Sequence, residues 1–252
     1  MQTSPAKRVQ AAINKVVGPL GIRVVRNRHD WSDTQNFIPL KGTLAAAQKA
    51  SLSVGDYIDT VMNNIPGATR FMIDSLHKLG VFDDAVASAL EIGPGSGRYL
   101  EKIVEACRPA RYEIYETAKP WANYLVSRHN VILQPTDGSS LAPTADASCD
   151  LVMAFKVFSS IPFMPTIRYW LEMQRVTRPG GRIVFDVMTE DCLPPGAIAT
   201  WAASGINNGA YPAVMPRRPM LALFDTAGFA LVGSFRAPMG VGQTETFVFR
   251  KT

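Results

Sequence analysis

From residue 88 onward the chain alternates short runs of β-forming residues with amphipathic stretches of helical period. That alternation limits the fold more than any other feature, because strand, helix and strand in repeated succession is the pattern of a parallel sheet covered by helices. The β-type runs fall at 88–92, 111–116, 130–134, 149–155, 181–187, 229–235 and 244–250, with helices expected over 97–107, 118–128, 165–177 and 219–227. The last two runs, "ALVGSFR" and "TETFVFR", are joined by a short segment of Pro and Gly. No helical crossover fits there, so these two strands are expected to pair antiparallel. The expectation is an α/β fold with a seven-stranded, mostly parallel sheet whose last strand is antiparallel.

Upstream the texture differs. Residues 43–80 read as helical, with a break at Pro66 and Gly67 and with Phe71, Ile73, Leu76 and Leu79 near one face. Residues 5–18 read as a short helix, followed by the extended "IRVVRN". The chain divides into a basic arm and helical cap over 1–65 and a larger domain over 66–252. Residues 1–29 carry Lys7, Arg8, Lys15, Arg23, Arg26 and Arg28 and no acid. Three readings of that arm stay open: contact with an anionic membrane surface or other polyanion, an organelle-targeting segment, or solvated basic faces. The apolar share of 47% and charged share of 19% are those of a globular protein. The longest apolar runs are strand-length and carry charges, so no bilayer-spanning helix is expected. Cys107, Cys149 and Cys192 are odd in number and widely spaced. They point to a reducing, cytoplasmic setting and to small buried hydrophobes rather than a disulfide framework or a zinc site.

After the first strand the chain reads "EIGPGSGRYL". Glycines permit a sharp turn and let a ligand lie against the backbone, and the helix that follows presents unpaired amides that favour an anionic group. The spacing sorts the ligands. A dinucleotide loop needs G-x-G-x-x-G, but position 98 is Arg98; a P-loop needs G-K-[ST], which does not follow. With Glu91 ahead of Gly93, Gly95 and Gly97, the stretch is E-x-G-x-G-x-G.

That stretch resembles motif I of the class I S-adenosylmethionine-dependent methyltransferases. The resemblance continues in order through "RYEIYE", "LQPTDGSSL", "CDLVMAFKVFSS" and "MQRVTRPGGRIVFDVMTE", and covers roughly residues 66–252. In the last of these, Pro179, Gly180 and Gly181 are expected to form the turn into strand five. The resemblance implies a Rossmann-like methyltransferase fold and S-adenosyl-L-methionine as cofactor, bound by Glu91, Gly93, Gly95 and Gly97. It implies further that Glu116 accepts from the ribose hydroxyls, Asp137 meets the adenine amino group, and Phe155 at the tip of strand four borders the cofactor. Read as residues alone, Glu116 is equally a strand end, Asp137 a turn residue in "TDG", and Glu91 a buried acid tying down the loop through backbone amides.

The acceptor is read from strand tips. At strand four stand Phe155, Lys156, Val157, Phe158, Ser159 and Ser160. The [DN]-P-P-[YFW] of adenine and glutamine amino methyltransferases is missing there, as is the Pro-Cys of cytosine C5 enzymes, and no nucleic-acid partner is expected. An oxygen acceptor on a sugar, glycan or other small metabolite leads, methylated by direct in-line transfer without a metal. The segments "EIGPGSGRYLE", "IYET" and "FKVF" resemble uncharacterised methyltransferases of bacterial glycan clusters, which sets the glycan expectation. Candidate catalytic groups are Asp186 near the end of strand five, Lys156, and His29 beside Asp30. His77 and His129 read as structural. The Pro- and Gly-rich stretch between strands five and six offers Trp201, Tyr211, Arg217 and Arg218 as acceptor contacts, or else packs as a surface loop. Two other functions stay open: an RNA or protein methyltransferase recruited by the basic arm, and a non-catalytic cofactor-binding scaffold.

Overall fold

The computed structural model describes residues 38–199, 213–239 and 242–252. Three helices come first: α1 (Leu40–Lys49), α2 (Val54–Tyr57), which runs on into a π-turn over Ile58–Met62, and α3 (Ala68–Lys78). Ser53 starts α2 by accepting the Asp56 amide on its Oγ at 3.0 Å, which satisfies one of the orphan donors of a helix start. On α3, Met72, Ile73 and Leu76 are buried. Phe71 departs from the expected common face: it is 47% exposed and meets Phe235 edge-on at 6.1 Å. The predicted helix over 5–18 and the basic arm lie outside the described residues.

The alternating part follows as β1 (Ser88–Ile92), α4 (Arg98–Cys107), β2 (Arg111–Tyr115), α5 (Lys119–Arg128), β3 (Ile132–Leu133), β4 (Cys149–Ala154), α6 (Phe163–Val176), β5 (Thr177–Thr189), β6 (Val214–Met215), α7 (Arg217–Thr226), β7 (Phe229–Met239) and β8 (Gly242–Lys251). The main sheet runs β3-β2-β1-β4-β5-β8-β7. All neighbours are parallel except β8, which is antiparallel to both β5 and β7. The strand order reverses between β1 and β4, and the crevice beyond the carboxyl ends of these strands is where open α/β sheets hold ligands.

The seven expected strands make up this sheet, and four details refine the reading. β6, two residues in the Pro-rich insertion, adds a further short strand off that path by pairing parallel with the end of β5. So short a strand has no periodicity to read. β3 shrinks to two residues at the sheet edge, although the Gln134 amide still donates to the Ile114 carbonyl at 2.9 Å before Pro135 ends the pairing. β5 begins before the expected Pro-Gly-Gly turn: Thr177 already pairs with Cys149, and the register shifts before Arg182 resumes pairing with Leu151. Pro179 and Gly180 therefore form an excursion inside the strand. A Cβ at Gly181 would stand 3.0 Å from the Cys149 carbonyl oxygen, so only glycine lets the two strands meet there. The closing hairpin also runs further toward its turn than expected, with β7 reaching Met239 and β8 starting at Gly242.

Alternation along the central strands divides the core. Leu90, Val152, Ile183, Phe185, Phe247 and Phe249 point to one face, against Trp170 of α6 and Phe224 of α7. Ala89, Leu151, Val184 and Val248 point to the other, against α3 and α4. The first face is aromatic, with Phe224 stacked on Phe249 at 4.2 Å and Trp170 on Phe185 at 5.3 Å. Each such side chain contributes about 1.5–3 kcal/mol by leaving water.

Candidate active site

After β1 the chain makes three left-handed residues in five: Gly93, Gly95 and Gly97, at φ of 61°, 53° and 79°. Their surroundings differ. A Cβ on Gly93 would lie 2.8 Å from a Val157 methyl, and one on Gly97 would lie 2.5 Å from Leu125 Cδ2. A Cβ on Gly95 would meet nothing closer than a backbone oxygen at 4.0 Å. Packing therefore demands the outer two glycines, while the open side of Gly95 leaves room for a ligand against the loop. Gly97 is also the N-cap of α4, and no side chain caps that helix. Its first amides have no partner within the helix and remain available to an anionic group.

Glu116 follows β2 and braces the loop. One carboxylate oxygen accepts the Gly95 amide and the other the Ala118 amide, each at 2.7 Å. The residue is 9% exposed, and burial raises its pKa against the opposing pull of these amides. Glu116 is thus seated on the glycine loop itself.

Glu91 sits beneath the loop rather than on its surface. It is 1% exposed and accepts a 2.8 Å hydrogen bond from the Tyr112 hydroxyl, so it is the buried acid of the alternative reading but with a side-chain partner in place of loop amides. Burial pushes its pKa up to about 8. Asp137 is exposed and occupied by its own turn: Oδ1 accepts the Ser139 and Ser140 amides at 2.8 Å, and Oδ2 accepts the Ser140 hydroxyl at 2.9 Å. These bonds lower its pKa.

At the tip of β4 Phe155 stacks on Tyr99 of α4 with centroids 4.6 Å apart, an apolar wall beside the loop. Lys156 comes next and is left-handed, at φ 60°, a conformation that costs a non-glycine residue about 1–2 kcal/mol. Asp186, fully buried on β5, holds it there. Oδ1 accepts the Lys156 amide at 2.6 Å, and Oδ2 lies 2.8 Å from Lys156 Nζ, off the direction of a hydrogen bond. The ammonium donates instead to Thr244 Oγ1 at 2.6 Å. The structure thus brings two of the three candidate catalytic residues together; His29 lies outside the described residues.

The candidate acceptor contacts separate. Trp201 and Tyr211 lie outside the described residues. Arg217 grips Glu245, a residue 4% exposed, through Nε at 3.1 Å and Nη2 at 3.1 Å. Ser234 adds a third bond to that carboxylate at 2.7 Å. Arg217 is therefore spent on a buried carboxylate, and its hydrogen bonds to Glu245 raise its own pKa. Arg218 points to solvent.

One link had no sequence signal. Asp59, in the π-turn of the cap, accepts the Thr69 amide at 2.7 Å and is ion-paired with Arg98. Arg98 directly follows Gly97, so the cap is fastened to the first residue of the helix that follows the glycine loop. The partners lie far apart in sequence; only the folded chain makes them neighbours. π-Turns often mark functional positions. Trp121 adds a second tie, its indole donating to the Ile38 carbonyl at 2.7 Å.

All three thiols are free, with Cys149 and Cys192 buried and Cys107 partly so. Among the described residues no three His, Cys, Asp or Glu side chains are grouped to hold a metal ion. No helix there is long and apolar enough to cross a membrane.

Residues 66–234 match a family model described as a methyltransferase domain. No curated protein matches the sequence. Among solved structures, an O-methyltransferase family protein from Burkholderia thailandensis aligns at 17% identity and a TM-score of 0.57, over 73% of this chain and 56% of that one. This chain thus spans little more than half of that protein. Magnesium protoporphyrin IX methyltransferase from Synechocystis, with S-adenosylhomocysteine bound, aligns at 11% identity and 0.55, over 73% and 82% of the two chains. An N-methyltransferase from Bradyrhizobium japonicum, in complex with S-adenosylhomocysteine, aligns at 18% and 0.52, over 72% and 86%. At these identities the likeness is one of fold.

Proposed function

This chain belongs to the class I S-adenosylmethionine-dependent methyltransferases, and from that premise we propose that it methylates an oxygen of a sugar, glycan or other small metabolite. The observation that carries the reading is the Lys156–Asp186 pair, just past β4 and near the end of β5, toward the ligand edge of the sheet. When bound, S-adenosylmethionine supplies an electrophilic methyl group on a cationic sulfur. Gly95 gives it room, the first amides of α4 receive its carboxylate, and Glu116 accepts from its ribose. Tyr99 and Phe155 keep water from the reacting side.

An alcohol is a poor nucleophile until its proton leaves. The Lys156 ammonium, placed against the acceptor oxygen, stabilises the negative charge that grows there. Asp186 holds Lys156 through its backbone amide and lies 2.8 Å from its ammonium; as the alcohol proton passes to Lys156 Nζ, one ammonium proton passes to the unpaired Asp186 Oδ2. A neutral amine nitrogen is nucleophilic enough to attack before it loses a proton, whereas a hydroxyl is not, so a group placed to take up the acceptor's proton favours oxygen.

The test is turnover with S-adenosylmethionine against a panel of sugars, glycan fragments and hydroxylated metabolites. Release of S-adenosylhomocysteine is followed and products are mapped by mass spectrometry. An O-methyl product that is lost in Asp186→Asn supports the reading. An N-methyl product overturns it, and binding of S-adenosylmethionine without turnover of any acceptor favours a scaffold. Turnover on RNA or protein that disappears when residues 1–29 are removed would instead assign the reaction to the basic arm.

A further inference from the structure

At the end of the sheet opposite the glycine loop, Arg182 of β5 and Arg250 of β8 stand directly across from one another in the antiparallel ladder. Like charges in that position repel. Arg178 joins them from the excursion inside β5, and the three arginines line a pocket of about 310 Å³ with Asp84, Asp150 and Val86. That volume lies at the lower end of small-ligand pockets, roughly 300–1,000 Å³.

The carboxylates do not use up the arginines. Asp150 is consumed by the strand start: it accepts the Ala87 amide at 2.9 Å, the Ser88 amide at 2.7 Å and the Ser88 hydroxyl at 2.9 Å, in addition to the Arg178 Nε. Asp84 is left to face two guanidinium groups, with Arg182 Nη2 at 2.8 Å and Arg250 Nη2 at 3.9 Å from the same oxygen. Among the described residues Arg250 makes no side-chain hydrogen bond, and the buried Arg182 Nε has no partner. Three cations thus meet two anions around one pocket. Hydrogen bonding from Arg182, its charge, and the charges of Arg250 and Arg178 hold the Asp84 carboxyl below its usual range, a sign of how positive the pocket is.

We propose that this pocket is a second ligand site, one that binds the phosphate group of a small molecule through Arg250, Arg182 and Arg178. Guanidinium forks match the oxygens of a phosphate in pairs, and a bound dianion would relieve the repulsion across the β5–β8 pair. The site is separate from the crevice that holds the methyl donor and does not depend on the identity of the acceptor.

Inorganic phosphate is titrated into the full chain by calorimetry and thermal shift at constant ionic strength, with chloride as the balancing salt. Glycerol phosphate and S-adenosylhomocysteine are titrated in parallel. Phosphate should raise the melting temperature above the chloride control. Arg250→Gln should weaken phosphate binding at least tenfold and leave the affinity for S-adenosylhomocysteine unchanged. Asp84→Asn, which removes the competing carboxylate, should tighten phosphate binding severalfold. Tighter binding of glycerol phosphate would make the ligand a phosphate ester; equal or weaker binding would make it free phosphate. Phosphate that gives no more heat or thermal shift than chloride, or that acts alike on the native chain and both variants, overturns the proposal.

Discussion

Lys156 and Asp186 are joined twice, by a backbone bond of 2.6 Å from the lysine amide and by an ion pair of 2.8 Å at the ammonium. The carboxylate therefore stabilises a left-handed turn and a charge together. Removing one member of a buried pair costs about 3–5 kcal/mol, and here the figure falls toward the lower end because the Lys156 side chain is 18% exposed. Asp186→Asn should lower both the melting temperature and turnover, the latter by about a hundredfold or more. The double variant Lys156→Met/Asp186→Asn should recover melting temperature without recovering turnover. Recovery of both would remove the pair from catalysis.

The glycine loop offers a second contrast. Gly95→Leu should keep the fold, at a cost of about 1–2 kcal/mol for its left-handed backbone, and lose S-adenosylmethionine binding in calorimetry. Gly97→Leu should instead destabilise the whole domain in chemical denaturation, because its Cβ meets Leu125 at 2.5 Å. Retained affinity in Gly95→Leu would mean that the ligand does not lie against that residue.

Glu91 gives a pH signature. Its pKa stands at about 8 in the folded chain against an ordinary 4.5, because burial disfavours the charged form. Between these values the native state holds a proton that the unfolded state has lost, so stability falls as pH rises from 4.5 to 8 and then levels off. Glu91→Gln should remove that part of the slope. Melting temperatures measured from pH 5 to 9 should fall more steeply for the native chain than for the variant, and parallel curves would assign the slope elsewhere.

Arg217 and Arg218 look equivalent in sequence and should behave differently. Arg217→Ala strands the buried Glu245 and should lower the denaturation midpoint whatever the acceptor. Arg218→Ala should leave the midpoint unchanged, so that any rise in acceptor KM reports on contact. Equal midpoints in both variants would show that the Arg217–Glu245 pair contributes nothing to stability.

The sheet was readable because its strands are buried runs bounded by Gly and Pro, and the direction of the last hairpin followed from the length of its connection. The loop was readable because glycine at left-handed positions has few substitutes. What escaped the sequence depends on partners distant along the chain. Asp59 and Arg98 carry no mark of each other, nor do Arg217 and Glu245, and a two-residue strand such as β6 exists only because the end of β5 lies beside it. Phe71 fitted the helical period yet turned outward to Phe235, since period fixes which residues share a face and not how wide the buried stripe will be.

The strand order also sets a timetable for synthesis. Among the described residues β7 pairs with the sheet through β8 alone, and β8 lies between β5 and β7 although it is the last of the three to be made. At about 5–20 residues per second, the outer edge of β5 waits roughly 3–12 s for its neighbour to leave the ribosome. During that interval β7 has emerged with neither edge paired, and a growing chain in this state offers other nascent chains, or a chaperone, the hydrogen-bonding groups that β8 later covers.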